Sequence, residues 1–243
     1  MLYQGNIRDY LSKQPLLFDG AMGTYLADKY IQFGGESCEK WNLRYPERIK
    51  QIHKEYIDAG AVAIKTNTFA ANAGDHFTAE EVGKVIAAGT QIAREAIEES
   101  AGEQILFGDI GPVLIGDEND AAERYRLPVD CFLEQGFNYF DTAHGYLQGK
   151  SELALKECLT SRYPREDYVL TNKLSGSYFK KEEDIRPFFE SQLAACGVDY
   201  FDFYLMHSQS TTNYQHYRDC RAYETAFALK AEGKIRHVGI SFH

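Results

Sequence analysis

The sequence is short of positive charge. It contains 26 lysine and arginine residues against 36 aspartate and glutamate residues, which gives a formal net charge of −10. A nucleic-acid-binding protein needs a basic patch for the phosphates, so we expect no nucleic-acid partner. The scattered basic residues Arg162, Arg165, Lys180 and Lys181 indicate a solvated surface rather than a binding face.

Cysteine is also sparse, and its spacing matches no familiar motif. The five cysteines are Cys38, Cys131, Cys158, Cys196 and Cys220. No two of them have Cys-x-x-Cys or zinc-finger spacing, which argues against a zinc module and for a reduced, cytoplasmic compartment. Long apolar runs are missing near the start, so we expect neither a signal peptide nor a membrane partner.

The chain instead shows a regular alternation of strand and helix patterns over its 243 residues. That length suits one α/β barrel or two small domains. Strands are predicted near Leu16, Val62, Ile105, Tyr139, Val169, Phe201 and Ile235. Alternation at this spacing predicts an α/β fold with a TIM-barrel-like (β/α) repeat of about seven strands.

Two helices between these strands have clear start signals. Pro46 opens one of them, and His53 lies on that helix as a structural residue. Thr78 and Glu81 form a capping box at the start of another.

One connection departs from the repeat. Between Gly111 and Asn138, a polar segment at residues 116–120 precedes Pro128. Because proline inside a helix loses a hydrogen bond and clashes, we predict only a two-turn helix over residues 129–135. We place a boundary here, between residues 120 and 121.

Four polar residues stand at the carboxyl ends of predicted strands: Asp141 and Tyr146 after the first of them, then Lys173 and His207. In a parallel barrel this rim is where active sites are built. Reduction of a carbonyl needs a hydride for carbon and a proton for oxygen. A tyrosine beside a lysine ammonium can supply the proton, a carboxylate can fix the lysine, and a histidine can orient the carbonyl.

Residues from about 123 to 243 resemble the aldo-keto reductases over that family's second to fifth strands. The matching motifs are Phe140-Asp-Thr-Ala-His-Gly-Tyr146, Gly149-Lys-Ser-Glu152, Thr171-Asn-Lys173, Asp202-Phe-Tyr-Leu-Met-His207 and Gly233-Lys-Ile-Arg-His-Val-Gly-Ile-Ser241. The resemblance implies NADP(H) and a carbonyl substrate, with Tyr146 as proton donor, Lys173 as its activator, Asp141 as the partner of the lysine and His207 as the carbonyl-orienting group. It also implies that Ser241 contacts the nicotinamide amide. The family's main phosphate-binding loops follow its last two strands, which this sequence does not include, so we expect weakened cofactor binding.

Residues from about 14 to 115 resemble the homocysteine S-methyltransferases over that family's first three strands. The matching motifs are Phe18-Asp-Gly-Ala-Met-Gly-Thr24, Ile52-His-Lys-Glu-Tyr-Ile-Asp-Ala-Gly60, Thr66-Asn-Thr-Phe69 and Phe107-Gly-Asp-Ile-Gly-Pro112. The resemblance implies that an amino-acid pocket is lined by Asp19, Gly20, Met22, Thr66, Asn67 and Asp109. The family's zinc cysteines belong to later strands and Cys38 matches none of them, so we expect no zinc.

Both families are (β/α)₈ barrels, so the sequence is interpreted as two partial barrels, over residues 1–120 and 121–243. We favour a recombined or engineered fusion over an ordinary gene product. Three functions stay open: a weak or inactive NADP-dependent carbonyl reductase, a non-catalytic barrel scaffold, and homocysteine methyl transfer, which the missing cysteines disfavour. An open barrel exposes strand edges, so we also expect self-association.

Overall fold

A computed structural model describes residues 1–3, 5, 10, 13–14, 16–30, 34, 36–72, 77–111 and 121–242. The chain divides into two compact units, Met1–Phe137 and Asn138–His243. The predicted polar segment at residues 116–120 lies outside the described residues, and the predicted boundary at 120/121 adjoins it. The boundary between the two family resemblances therefore stays a prediction.

The first unit is built of helices around a short parallel strand pair. Its helices are α1 (Met22–Lys29), α2 (Trp41–Arg44), α3 (Pro46–Asp58), α4 (Ala79–Glu99) and α5 (Ala121–Glu134), and its strands are β1 (Ala63–Lys65) and β2 (Ile105–Phe107). Strands β1 and β2 pair in parallel, with Ala63 opposite Ile105. The strand predicted near Leu16 is reduced to a single parallel bridge between Phe18 and Ala63.

The two helices with clear start signals, α3 and α4, begin where the sequence predicted. Pro46 occupies the first turn of α3, where its missing N–H costs no helical hydrogen bond. At α4, the Thr78 side chain accepts a hydrogen bond from the N–H of Glu81, and the Glu81 carboxylate accepts one from the N–H of Thr78. These two bonds confirm the capping box. The buried faces of α3 and α4 supply apolar side chains to the core, including Ile57, Ala93 and Ile97.

The prediction of a two-turn helix after Pro128 is wrong. Helix α5 runs through Ala121–Glu134 with Pro128 inside it. The apolar side chains of Leu127, Cys131 and Phe132 pack in a cluster with residues of α4. Burial of these apolar side chains offsets the loss of the hydrogen bond that the proline removes. The local sequence around Pro128 does not reveal this packing, because it depends on contacts with α4.

The second unit is a four-stranded parallel sheet with helices between its strands. The strands are β3 (Tyr139–Asp141), β4 (Val169–Leu174), β5 (Phe201–Gln209) and β6 (Ile235–Phe242), and the helices are α6 (Lys150–Leu155), α7 (Glu182–Cys196), α8 (Tyr214–Asp219) and α9 (Ala222–Ala231). The spatial order is β3-β4-β5-β6, the same as the order in the chain. Helix α7 ends at Gly197, whose φ of 67° is left-handed and suits glycine.

The two units confirm the α/β class and the (β/α) repeat. Six of the seven predicted positions are strands, and the seventh is the bridge at Phe18. All strand pairings among the described residues are parallel, as expected for strands joined through helices. No helix in the described part of the chain is both long enough and apolar enough to cross a membrane.

Candidate active site

The sheet of the second unit brings the four predicted rim residues to one edge. Asp141 is the last residue of β3 and lies opposite Thr171 of β4, two residues before Lys173. Lys173 lies opposite Leu205 of β5, two residues before His207. Because the three strands are parallel and in register, their carboxyl ends meet. Tyr146 follows β3 in a short 3₁₀ turn, Tyr146–Gly149.

Lys173 is the centre of this cluster. Its side chain is almost completely buried, yet its ammonium group uses all three of its donors. It forms an ion pair with the Asp141 carboxylate. It also donates to the carbonyl oxygen of Thr142 at 3.0 Å and to the hydroxyl oxygen of Tyr146 at 3.1 Å.

Asp141 completes the ion pair under opposing influences. Desolvation raises the pKa of Asp141 above its usual range, and the ammonium of Lys173 opposes this rise. The contact with Lys173 therefore favours the carboxylate against the cost of removing it from water. The ion pair in turn fixes the position of the lysine beside Tyr146.

Tyr146 and His207 lie side by side at the open end of the cluster. The Tyr146 residue is 41% exposed, so part of its side chain is open to a ligand. The two rings meet edge to face, with centroids 6.0 Å apart. The Nδ1 atom of His207 lies 2.7 Å from the hydroxyl of Ser175.

Ser175 was not identified from the sequence, although a signal existed. It stands two residues after Lys173, in extended backbone just beyond the end of β4, and alternate residues of an extended segment share one face. Its hydroxyl can act as donor or acceptor, so it can fix the tautomer of His207.

Ser241 lies on β6 close to this edge. Its hydroxyl oxygen accepts a hydrogen bond from the backbone N–H of Ser208 at 3.0 Å. The hydroxyl hydrogen of Ser241 is thereby left to donate elsewhere. All five residues predicted for the reductase site are thus at the carboxyl edge of one sheet.

The first unit holds a separate cavity of about 390 Å³. All six residues predicted for an amino-acid pocket line it, namely Asp19, Gly20, Met22, Thr66, Asn67 and Asp109. Glu39 and Lys65 also line it, and neither was predicted from the sequence. Their signal was weak, because a single charged residue in a loop or at a strand end is ordinary.

Two charged residues of the cavity, Asp19 and Lys65, contact each other. The Asp19 carboxylate accepts from the backbone N–H of Lys65 at 3.0 Å, and the Lys65 ammonium lies 3.6 Å away. Burial raises the pKa of Asp19 and that of Asp109. Burial also raises the pKa of the Cys38 thiol, which lines the same cavity and is held in its unreactive protonated form.

The cavity wall itself is held by hydrogen bonds among polar side chains. The Thr66 hydroxyl lies 2.6 Å from that of Thr68 and accepts from the N–H of Asp109 at 3.2 Å. The Asn67 amide donates to the carbonyl oxygen of Cys38 and to the Asn42 side chain, both at 2.8 Å. Among the described residues, no group of three or more histidine, cysteine or acidic side chains could hold a metal ion.

Comparison with known proteins gives different relatives for the two parts. The curated proteins that match include methionine synthase of Mycobacterium tuberculosis, 37% identical over 122 residues, which are 46% of this chain and 10% of that protein. They also include the NADH-specific methylglyoxal reductase of Escherichia coli, 33% identical over 134 residues, which are 47% of this chain and 40% of that protein. The chain therefore spans less than half the length of either relative.

Similar solved structures are aldo-keto reductases. One, from Klebsiella pneumoniae in complex with NADPH, is 25% identical with a TM-score of 0.41, and the match covers 52% of this chain and 40% of that one. Another, from Bacillus halodurans in its holo form, is 30% identical with a TM-score of 0.42, and the match covers 53% and 43% of the two chains.

Two family models match, and each covers more than half of the chain. The aldo/keto reductase family matches residues 107–243, and homocysteine S-methyltransferase matches residues 16–146. The two matches overlap over residues 107–146, so they do not fix one residue at which one resemblance gives way to the other. The chain belongs to the aldo/keto reductase family in its second part and to the homocysteine S-methyltransferase family in its first.

Proposed function

We propose that the second unit carries the active site of an NADP(H)-dependent carbonyl reductase. The observation that carries this proposal is the position of the Lys173 ammonium, which contacts both the Asp141 carboxylate and the Tyr146 hydroxyl. The family match over residues 107–243 supports it. A bound nicotinamide would supply the hydride that this chemistry requires.

The chain's own residues supply the proton and the orientation. Tyr146 donates its hydroxyl proton to the carbonyl oxygen of the substrate. The Lys173 ammonium, 3.1 Å from that hydroxyl oxygen, stabilises the negative charge that develops there. Asp141 holds the ammonium in place. When Ser175 donates to Nδ1 of His207, the Nε2 atom carries the ring hydrogen and donates to the substrate carbonyl.

The residues at the edge of the sheet fit a nicotinamide. Ser241 accepts from Ser208, so its own hydroxyl hydrogen can donate to the carboxamide of the ring. We therefore assign the nicotinamide end of the cofactor to Ser241. The partial exposure of Tyr146 leaves room for a carbonyl substrate beside it.

The test compares Tyr146→Phe with the wild type in the NADPH-dependent reduction of a panel of small aldehydes and ketones. We expect the variant to lose reduction by at least about 100-fold, because it removes the proton donor. Tyr178→Phe is the matched control, since Tyr178 is 39% exposed on the same unit and its ring packs against His144 and Phe188. Equal activity of Tyr146→Phe and wild type would refute the assignment. Absence of reduction by the wild type would favour the non-catalytic scaffold.

We further propose that the first unit's cavity binds a small amino acid without methyl transfer. Its wall presents carboxylates from Asp19 and Asp109, which suit an ammonium group, and the ammonium of Lys65, which suits a carboxylate. Isothermal titration with homocysteine tests this. Binding should be lost in Asp109→Asn and kept in Glu98→Gln, a substitution on α4 that lies outside the cavity lining. Equal binding by both variants would contradict the proposal.

A further inference from the structure

The backbone is strained at Ser208, the residue that follows His207. Ser208 has a φ of 52°, in the left-handed region that favours glycine. The pairing of β5 with β6 is irregular at the same point, between Met206 and Gln209. A non-glycine residue keeps such a conformation only when its surroundings hold it there. The contacts of Ser208 and its neighbours therefore show what fixes this turn.

Both backbone groups of Ser208 are held by side chains from other elements. Its N–H donates to the hydroxyl oxygen of Ser241 on β6 at 3.0 Å. Its carbonyl oxygen accepts from the side-chain amide of Asn213, which precedes α8. Asn213 is itself held, because its side-chain oxygen accepts from the N–H of Ser210 at 2.8 Å.

Tyr217 of α8 joins the strand ends that carry Lys173 and His207. Its side chain is fully buried, and its ring lies against those of Phe179 and His216. Its hydroxyl lies 2.7 Å from the carbonyl oxygen of Leu174, the residue after Lys173, and 3.0 Å from the carbonyl oxygen of His207 itself. One hydroxyl hydrogen is thus shared between the end of β4 and the turn of β5. Burial raises the pKa of Tyr217, so the hydroxyl stays a donor at all working pH values.

We propose that Tyr217 and the left-handed turn at Ser208 form a positioning device, which sets the distance and orientation of His207 relative to Lys173 and Tyr146. This inference rests on the proposed reductase function. Neither Tyr217 nor Ser208 is given a catalytic role, and both act through His207. A shift of the His207 ring by about 1 Å is enough to lower turnover about 100-fold in a site that depends on orientation.

A purely structural role makes a different prediction for Ser208→Gly. Glycine adopts a positive φ without strain, so the variant should be at least as stable as the wild type. If the turn is only a fold feature, His207 should be unaffected. If the strained turn positions His207, the added backbone freedom should alter the histidine while the fold is kept.

The experiment measures the ring nitrogens of His207 by NMR in protein labelled with ¹⁵N-histidine, with His207→Gln used for assignment. We expect Ser208→Gly and Tyr217→Phe to shift these signals. Tyr200→Phe is the control, because it removes a phenol oxygen bonded to Arg236 beside the opposite end of β5. Turnover should fall between about 10- and 100-fold in both variants, with KM for the carbonyl substrate changed less than about threefold.

Each outcome decides between the proposals. Unchanged His207 signals in folded Ser208→Gly would overturn the positioning role, and that variant decides the matter if Tyr217→Phe does not fold. A wild type without reductase activity would refute the proposed function alone. Shifted His207 signals would still support the positioning device in that case.

Discussion

At Lys173 one ammonium group bonds to three oxygens, from Asp141, Thr142 and Tyr146. The sequence predicted two of these partners, because their residue types and order matched a known family motif. It did not predict the contact with the Thr142 carbonyl, because every residue type has a backbone carbonyl and the sequence therefore gives no signal for it. Ser208 and Tyr217 were not predicted for a related reason: their contacts depend on which strands and helices lie next to one another.

Lys173→Met should remove activity and destabilise the protein. The substitution leaves Asp141 without its partner, and breaking a buried pair in this way is costly. Because the Asp141 side chain is 38% exposed, we expect a reduced loss of about 1–3 kcal/mol in the free energy of unfolding. Urea unfolding measures this loss. The double variant with Asp141→Asn should be destabilised by less than the sum of the single variants, and additivity would contradict the coupling.

His53 should make stability depend on pH. The ring is fully buried on α3, and neither ring nitrogen has a hydrogen-bond partner among the described residues. Burial lowers the pKa of His53 to about 4, from an ordinary value of 6.5. Its contribution is therefore present above pH 6.5 and is lost as pH falls toward 4, since protonation favours the unfolded chain.

The size of this effect can be measured by urea unfolding at two pH values. Between pH 7.5 and pH 5, His53 should account for a loss of about 2 kcal/mol in the free energy of unfolding. His53→Leu should show a loss smaller by about that amount. An unchanged pH dependence in His53→Leu would show that the buried ring does not titrate in this way.

At the scale of the element, helix ends set by local sequence signals were predicted correctly, whereas a helix stabilised by tertiary packing was not. The capping box of α4 was predictable because Thr78 and Glu81 are three residues apart and bond to each other. Helix α5 was not, because what stabilises it through Pro128 is contact with residues distant in sequence. The sequence shows that Pro128 removes a helical hydrogen bond. Only the structure shows that packing of α5 against α4 offsets this loss.

Pro128→Ala should therefore stabilise the protein. The alanine restores an N–H donor inside α5 and removes a steric conflict, which should raise the free energy of unfolding by about 1–2 kcal/mol. Pro46→Ala is the matched control, because Pro46 lies in the first turn of α3, where proline is favourable. That control should be neutral or destabilising in the same urea titration. Stabilisation of both variants to the same degree would contradict the explanation.

At the scale of the whole molecule, the chain divides into two compact units, each with parallel strands, and it matches two families. The alternation of strand and helix patterns was enough to predict this class. The boundary predicted between residues 120 and 121 stays a prediction, because both family matches extend across residues 107–146.

We propose that the protein self-associates through strand edges. Strand β6 is an outer strand of the four-stranded sheet, and its Ile240 is 54% exposed. The weight-average mass in sedimentation should rise with protein concentration, and Ile240→Lys should lessen that rise by placing a charge on the edge. A mass that stays at the monomer value at all concentrations would contradict this proposal.

A titration with NADPH tests most directly whether Asp141, Tyr146, Lys173, His207 and Ser241 form a working reductase site. Nicotinamide fluorescence reports binding, with NADH as the comparison. We predict saturable binding in the micromolar range, weakened by Ser241→Ala. No binding up to millimolar NADPH would contradict it and would leave these five residues as an inherited arrangement without a cofactor.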